Sequence, residues 1–346
     1  MEIRVYDRDL RFQGITENQT SLIWTRKYAD VGCFELYAPI TSDNLKLMQK
    51  GNIIWMRGCD DAGIIEDIKL EESNIKNEIT VKGRFLSSYL DRKLIKGTVN
   101  YSGTYENAMR ELYSRDTIPL VELGELNGFD ESVEFQVTYK NLLTYMQKLA
   151  KGSALGFRFR PNFNERKIVF EIYKGIDRTT AQHTNHRVIF SETYNNLNNT
   201  IYRENAQLFK NVAYVGGEGE GTARKVVIVG DATGLDRREM FVDAKDISSD
   251  GLSTAEYEAL LRTRGEEALA KNLESSSFEC DTGVDVNFQY KKHYDLGDVV
   301  TVRKKRWGIT VNKRITEIRE IYEFGGRRIE PTFGDALPEY IDWSDN

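Results

Sequence analysis

Proline, cysteine and histidine are all scarce in this 346-residue chain, with 5, 3 and 3 copies. Few prolines leave strands uninterrupted, because proline removes a ladder donor and is confined to sheet edges. Cys33, Cys59 and Cys280 are odd in number, far apart and form no C-x-x-C pair. That pattern fits reduced, mostly buried thiols rather than a disulfide framework or a zinc site. Three histidines leave little acid–base machinery near neutral pH. No run approaches the about 18 apolar residues of a membrane helix. The start, MEIRVYDRDLRF, alternates charged and apolar residues instead of opening basic and then apolar, as a signal peptide does. No membrane segment is expected, and synthesis in the cytoplasm is. Positive charge is not in excess either. A net charge of −6 with both signs interspersed lacks the clustered basic face that phosphate neutralisation needs, so no specific nucleic-acid site is expected.

What the chain does have is aromatic residues. Its 18 Tyr, 16 Phe and 4 Trp suit pleated, half-buried surfaces and favour strands. With 40% hydrophobic and 29% charged residues it has the composition of a folded protein, and its length implies two or three domains. The first part reads as short strands between turns: Ile3 to Tyr6, Ser21 to Tyr28, Cys33 to Ala38, Asn52 to Arg57, Ala62 to Leu70 and Glu78 to Arg84. Such spacing predicts a barrel or sandwich. Thr104 is placed to cap a helix carrying Ala108, Met109 and Leu112. Thr138 is placed to cap another carrying Leu142, Leu143, Met146 and Leu149, with Gly152 at its end. Two alternating strands follow, Phe157 to Arg160 and Lys167 to Tyr173.

Strand signals return in Ala206 to Val215 and Arg224 to Val229, then pause for one helix with Ser253 and Glu256 in capping-box spacing. They resume in Phe278 to Phe288, Val299 to Arg303, Trp307 to Asn312 and Arg314 to Phe324, before a tail from Arg327 to Asn346. The expected fold class is mainly β, α+β overall. Two related β-barrel domains, residues 1–95 and 186–346, flank a small α/β insert domain, residues 96–185. A small helical insertion at about 236–284 interrupts the second barrel.

The relation between the two halves rests on a faint repeat. Gly51-Asn52-Ile53-Ile54-Trp55-Met56 turns into an apolar strand and is followed by Gly63-Ile64-Ile65-Glu66-Asp67-Ile68. Gly297-Asp298-Val299-Val300-Thr301-Val302 does the same and is followed by Arg314-Ile315-Thr316-Glu317-Ile318. Both pass from a glycine turn through an apolar strand to an Ile-x-Glu strand, as a barrel corner and its return strand require. Three copies of such a chain would present six similar faces.

Candidate chemistry is thin, and catalytic, cofactor-binding and metal-binding residues are all read as none. His183 and His186, in QHTNH, have no cysteine or carboxylate at ligand spacing beside them and read as solvated loop residues. His293 has no nucleophile signature around it. The run Gly216 to Gly221 carries glutamates where a phosphate cradle has Lys and Ser or Thr, and reads as a flexible hairpin tip. The pairs Asp60, Asp61 and Glu71, Glu72 are what any chain with 54 acidic residues contains. Arg303-Lys304-Lys305-Arg306, followed by Trp307, reads as a solvated hairpin tip, with an acidic protein partner as the other reading.

Trp24-Thr25-Arg26-Lys27-Tyr28, Gly32-Cys33-Phe34-Glu35-Leu36-Tyr37-Ala38-Pro39, Gly63-Ile64-Ile65-Glu66 and Lys82-Gly83-Arg84 resemble the tail-hub (baseplate hub) proteins of siphoviruses and prophages of Gram-positive bacteria. They also resemble the contractile-tail counterparts. Leu296-Gly297-Asp298-Val299-Val300 and Ile315-Thr316-Glu317-Ile318 resemble the family's second barrel. The resemblance implies a virion structural protein of the tail tip and no enzyme. It implies a homotrimer whose barrels form a pseudo-sixfold ring under a hexameric tail-tube or distal tail ring. It also implies a lumen for the tape-measure protein and DNA, with a spike or fibre below. No cofactor is implied. Two rival readings are a tail-associated cell-wall-degrading enzyme, compatible with the Tyr and Trp content, and a receptor-binding tail adhesin.

Overall fold

The computed structural model describes residues 1–272, 275–281 and 287–334. Its largest element is a ten-stranded sheet that runs through both halves of the chain. The order is Asn198–Asn205, Ser275–Asp281, Gly326–Gly334, Ile309–Glu323, Ser21–Lys27, Cys33–Pro39, Asn77–Arg84 and Asp67–Glu72, with Val299–Lys304 and Ile189–Ser191 branching from Ile309–Glu323. The halves therefore meet by strand pairing, Ile309–Glu323 against Ser21–Lys27. A four-stranded sheet of Phe12–Thr16, Ile3–Tyr6, Ile53–Met56 and Gly63–Ile64 completes the first half. A bridge between Gly63 and Phe85 links it to the large sheet.

Between the halves lie helix α2 (Tyr105–Ser114) and helix α3 (Leu142–Ser153), the paired strands Thr98–Thr104 and Ser132–Thr138, and a three-stranded sheet of Val121–Leu123, Lys167–Tyr173 and Gly156–Asn162. One apolar cluster extends from Ile3 to Ile172, so this segment and the first half share a core. Phe163 stacks on Tyr6 at 3.7 Å and lies 5.2 Å from the Trp55 ring. The second half has its own cluster around Phe190, Phe278, Ile318 and Phe333. A third, built from Ala213, Val215, Tyr257 and Leu261, sits under helix α4 (Thr254–Lys271) and a small sheet.

Local signals decide the helix ends. Thr104 caps α2, accepting from the Asn107 N–H, and Ser253 with Glu256 makes the expected capping box on α4. The cap of α3 is Asn141 rather than Thr138, which instead ends a strand. Its C-terminus is Ala154 in the left-handed region rather than Gly152. Helix α1 (Ser42–Leu47), capped by Thr41, was not signalled by periodicity because it is under two turns long.

Other differences concern strands. The stretch Ala62 to Leu70 splits into Gly63–Ile64 and Asp67–Glu72, which belong to different sheets. Trp307 to Asn312 and Arg314 to Phe324 merge into one strand, Ile309–Glu323, and the presumed tail opens with the strand Gly326–Gly334. The small sheet starts at Val212, upstream of the 236 expected for the insertion. Val212–Gly216 is its central strand, between Val226–Val229 and Glu239–Asp243. Residues 282–286 of the expected strand Phe278 to Phe288, and residues 335–346 of the tail, lie outside the described residues.

Candidate assembly junction

The repeat glimpsed in sequence is a repeat of backbone geometry. Gly51 and Gly297 both sit in the left-handed region, at φ +89° and +93°, which glycine adopts without steric cost. Gly51 N–H donates to Ile65 O at 2.7 Å and Ile65 N–H donates to Asn52 O at 2.8 Å. Gly297 N–H donates to Ile315 O, and Ile315 N–H donates to Asp298 O, both at 2.8 Å. Ile53 then faces Ile64 as Val299 faces Arg314. The following hairpins keep step: Asp67 faces Lys82, Glu317 faces Thr332, and the offset in sequence is the same for both strands. Next in each sheet, Phe34 faces Gly83 and Trp24, while Phe278 faces Phe333 and Tyr202. Ile315 thus corresponds to Ile65, not to the Ile64 that an Ile-x-Glu match selects.

Where the halves meet, a charged residue is buried. Arg26 lies on the same face of its strand as Trp24 and is 2% exposed. Its Nε donates to Asp61 at 2.7 Å, and its Nη1 donates to Tyr290 Oη at 2.7 Å and to Asp295 at 2.8 Å. A buried guanidinium persists only when paired in this way. Burial opposes its charge, but Tyr290, Asp61 and Asp295 outweigh burial and hold its pKa well above the ordinary value. Beside it, Arg158 reaches Asp60 at 2.9 Å and Glu171 at 2.7 Å. On the other side, the fully buried Glu320 accepts from Tyr290 Oη at 3.2 Å, Tyr322 Oη at 2.6 Å and Arg327 at 2.7 Å. Burial pushes the Tyr290 phenol well above its usual range despite Arg26. A guanidinium and a phenol that burial holds protonated thus lie at the centre of the cluster. It acts as a clamp between the first half, the middle segment and the second half.

Tyr28 makes a second clamp. Its Oη donates to Ala154 O at 3.0 Å and accepts from Gly175 N–H at 3.0 Å. Asp298 accepts from Ile176 N–H at 2.8 Å and Arg178 Nε at 2.6 Å. The runs that carry the family resemblance are thus where the parts of the chain lock together. Sequence reading singled out Trp24 to Tyr28 without seeing Arg26 as buried. The available signal was its period-two alignment with Leu22 and Trp24.

The sequence-selected candidates are scattered. Asp60 and Asp61 join the Arg26 and Arg158 cluster. Glu71 stays on an outer strand, bound to Lys69 at 2.8 Å and Lys76 at 3.1 Å, with Glu72 exposed beside it. His183 Nδ1 lies 2.6 Å from Arg187 Nη2, whereas His186 comes within 5.8 Å of the His293 ring. Among the described residues no group of three His, Cys, Asp or Glu is arranged to hold a metal ion. The glycine run expected to be a loose tip is tethered: Glu218 N–H donates to Tyr257 Oη at 2.7 Å, and Arg224 donates to Gly216 O at 2.8 Å and Gly217 O at 3.0 Å. In the basic run Lys304 pairs with Glu192 at 2.8 Å and lies over the Trp307 ring. Cys33, Cys59 and Cys280 form no disulfide, and burial raises the thiols of the first two above the usual range.

The siphovirus ReqiPepy6 Gp37-like protein family matches residues 2–335. The chain belongs to that family. Among solved structures its fold is shared by a tail protein from Neisseria meningitidis MC58, 13% identical, covering 96% of both chains with a TM-score of 0.62. The 43 kDa tail protein of prophage MuSo2 from Shewanella oneidensis is 15% identical, with 96% of this chain and 98% of that one covered and a TM-score of 0.61. Prophage tail protein gp18 from Listeria monocytogenes EGD-e is 13% identical, with 97% and 95% covered and a TM-score of 0.56. No curated protein sequence matches the chain. This member of a siphovirus family therefore has the mainly β fold of prophage tail proteins, as the resemblance implied.

Proposed function

We propose that this family member is a structural tail-hub subunit and not an enzyme. In this reading a homotrimer forms a pseudo-sixfold ring in the virion, between a hexameric tail-tube or distal tail ring and a spike or fibre. The observation that carries the reading is the matched register of the two β units, since a trimer of doubled units offers six equivalent positions to a sixfold partner. The hairpin tips support it. Asp67–Glu72 and Asn77–Arg84 turn at a tip bearing Ile75, 99% exposed, and the equivalent turn after Glu323 bears Phe324, 107% exposed. Fully exposed apolar residues on equivalent turns suit contact with a repeating surface. A net charge of −6 suits a conduit for the tape measure and DNA, because like charge keeps phosphates from adhering. The work is mechanical: the buried clamps keep each chain rigid while partners bind above and below.

Light scattering on the purified chain tests this reading. The expected native mass is three times 39.8 kDa, with threefold particles and a central hole in electron images. A stable monomer at micromolar concentration overturns it.

A further inference from the structure

The two glycine corners lead into hairpins of different length. Six facing pairs join Val299–Lys304 to Ile309–Glu323, whereas two join Ile53–Met56 to Gly63–Ile64. The span from Gly297 to Ile315 is accordingly four residues longer than that from Gly51 to Ile65. In the first unit the short loop folds inward, with Asp61 on Arg26 and Asp60 on Arg158. The long hairpin of the second unit ends in the tip Lys305–Trp307, where Arg303, Lys305, Arg306 and Trp307 are exposed. Counting Lys304, four cations stand against one carboxylate, Glu192, which also accepts from the backbone N–H of Arg306. Among the described residues Lys304 alone of the four is in a salt bridge. Two amphipathic aromatics accompany the cations: Trp307 is 45% exposed and Tyr194, two residues after Glu192, 44%.

We propose that this tip, residues 303–307, docks on an anionic lipid surface. The count of tips rests on the trimeric reading above, and the contact lies on the side away from the sixfold partner. Strand Ile309–Glu323 starts at the basic tip and ends at the turn bearing Phe324, so the two lie at its opposite ends. The apolar turns recur in both units and occur six times in a trimer. The basic tip has no equivalent in the first unit and occurs three times, which suits a surface with no sixfold repeat. Its shape and chemistry choose among anionic partners. A convex hairpin tip encloses no peptide, whereas a flat surface meets all three tips at one height on the threefold axis, and their contacts add as avidity. Guanidinium groups take phosphate oxygens in bidentate fashion, and Trp and Tyr settle where a bilayer meets water. The chain's net charge of −6 does not cancel the attraction, because screening over about 8 Å at physiological ionic strength leaves the lipid facing the tip's own charges.

Vesicle sedimentation of the full chain tests the contact, with light scattering of the same sample for its mass. Vesicles of one part phosphatidylglycerol to two parts phosphatidylcholine should carry the protein down at low salt, and phosphatidylcholine alone should not. Salt at about 0.5 M should release it. Each cation at an anionic surface is worth about fivefold, so Lys305→Gln with Arg306→Gln should weaken binding roughly twentyfold or more. Lys46→Gln with Lys151→Gln removes two exposed cations elsewhere and should leave binding unchanged, with circular dichroism to check that both variants fold. As a second measurement, tryptophan emission should shift to the blue on the anionic vesicles, and Trp307→Phe should abolish the shift. A trimer that stays in solution, or that loses binding equally in both double variants, overturns the lipid contact and leaves the trimeric reading standing. Tighter binding to immobilised polyglutamate than to the vesicles makes an acidic protein the occupant and also overturns it. A monomer that binds the vesicles through the tip overturns the trimeric reading and upholds the lipid contact.

Discussion

In the second β unit Ile318 and Glu320 are fully buried; in the first, their counterparts Ile68 and Leu70 are exposed. The backbone registers are the same, so the strands themselves do not account for the difference. What differs is the neighbour. Ile309–Glu323 has Ser21–Lys27 along its edge, and Asp67–Glu72 ends the sheet. The residue types follow the surroundings: a glutamate held by Arg327, Tyr322 and Tyr290 lies inside the chain, and a leucine sits on the outer edge. The two units share a hydrogen-bonding frame and differ in the side chains that decide what may dock on each edge.

The internal junction is the place to break this comparison. Arg26→Ala leaves Asp61, Asp295 and Tyr290 without their cation, and removing one partner of a buried pair costs about 3–5 kcal/mol. Chemical denaturation should show that loss, and a loss below about 1 kcal/mol would mean the clamp does not hold the halves together.

The two glycine turns sharpen the comparison with a smaller effect. Gly51→Ala and Gly297→Ala both force an L residue into the left-handed region, at about 1–2 kcal/mol each. At Gly51 the new methyl meets the mobile end of Arg8, but at Gly297 it would lie 2.2 Å from the buried Tyr28 ring. Overpacking adds about 1–3 kcal/mol there. Thermal denaturation is expected to rank Gly297→Ala clearly below Gly51→Ala, and equal midpoints would contradict the tight corner at Tyr28.

The smallest effect concerns Glu317, whose carboxyl is raised by burial in spite of Lys27 and Arg319. A raised carboxyl is disfavoured in its ionised form by the fold. The penalty is absent below the unfolded value of about 4.3 and grows as pH rises through the higher folded value. Glu317→Gln should therefore melt slightly above wild type at pH 7, with the gain gone by pH 4. A variant less stable at pH 7 would show that the Lys27 contact at 3.9 Å outweighs burial.

Much of the fold was legible because its signals are local. The strands Ile3–Tyr6 and Lys167–Tyr173 and the box at Ser253 and Glu256 follow from alternation and capping within a few residues. Phe12–Thr16 was missed because its apolar residues do not alternate with burial: Phe12 and Ile15 are exposed and the buried residue is Thr16. Asn198–Asn205, rich in asparagine, has little strand propensity and is held by Ser275–Asp281. The candidate site was legible only as a set of runs. Trp24 to Tyr28, Asp60 and Asp61, and Glu320 lie far apart in the chain, and no spacing rule joins Arg26 to Asp295.

By itself the sequence determined the β-rich class, the helix caps at Thr104 and Ser253, the glycine turns and the scarcity of histidine and cysteine. All of these depend on residue type and near neighbours. Tertiary structure decided that Gly51 and Gly297 anchor the same corner, that one long strand joins both halves, and that Arg26 is buried. Strand pairing is non-local. Which edge a strand meets, and in which register, is set by the partner's pattern as much as by its own, so the charge on Arg26 could be placed only once the strands and loops around it were in position.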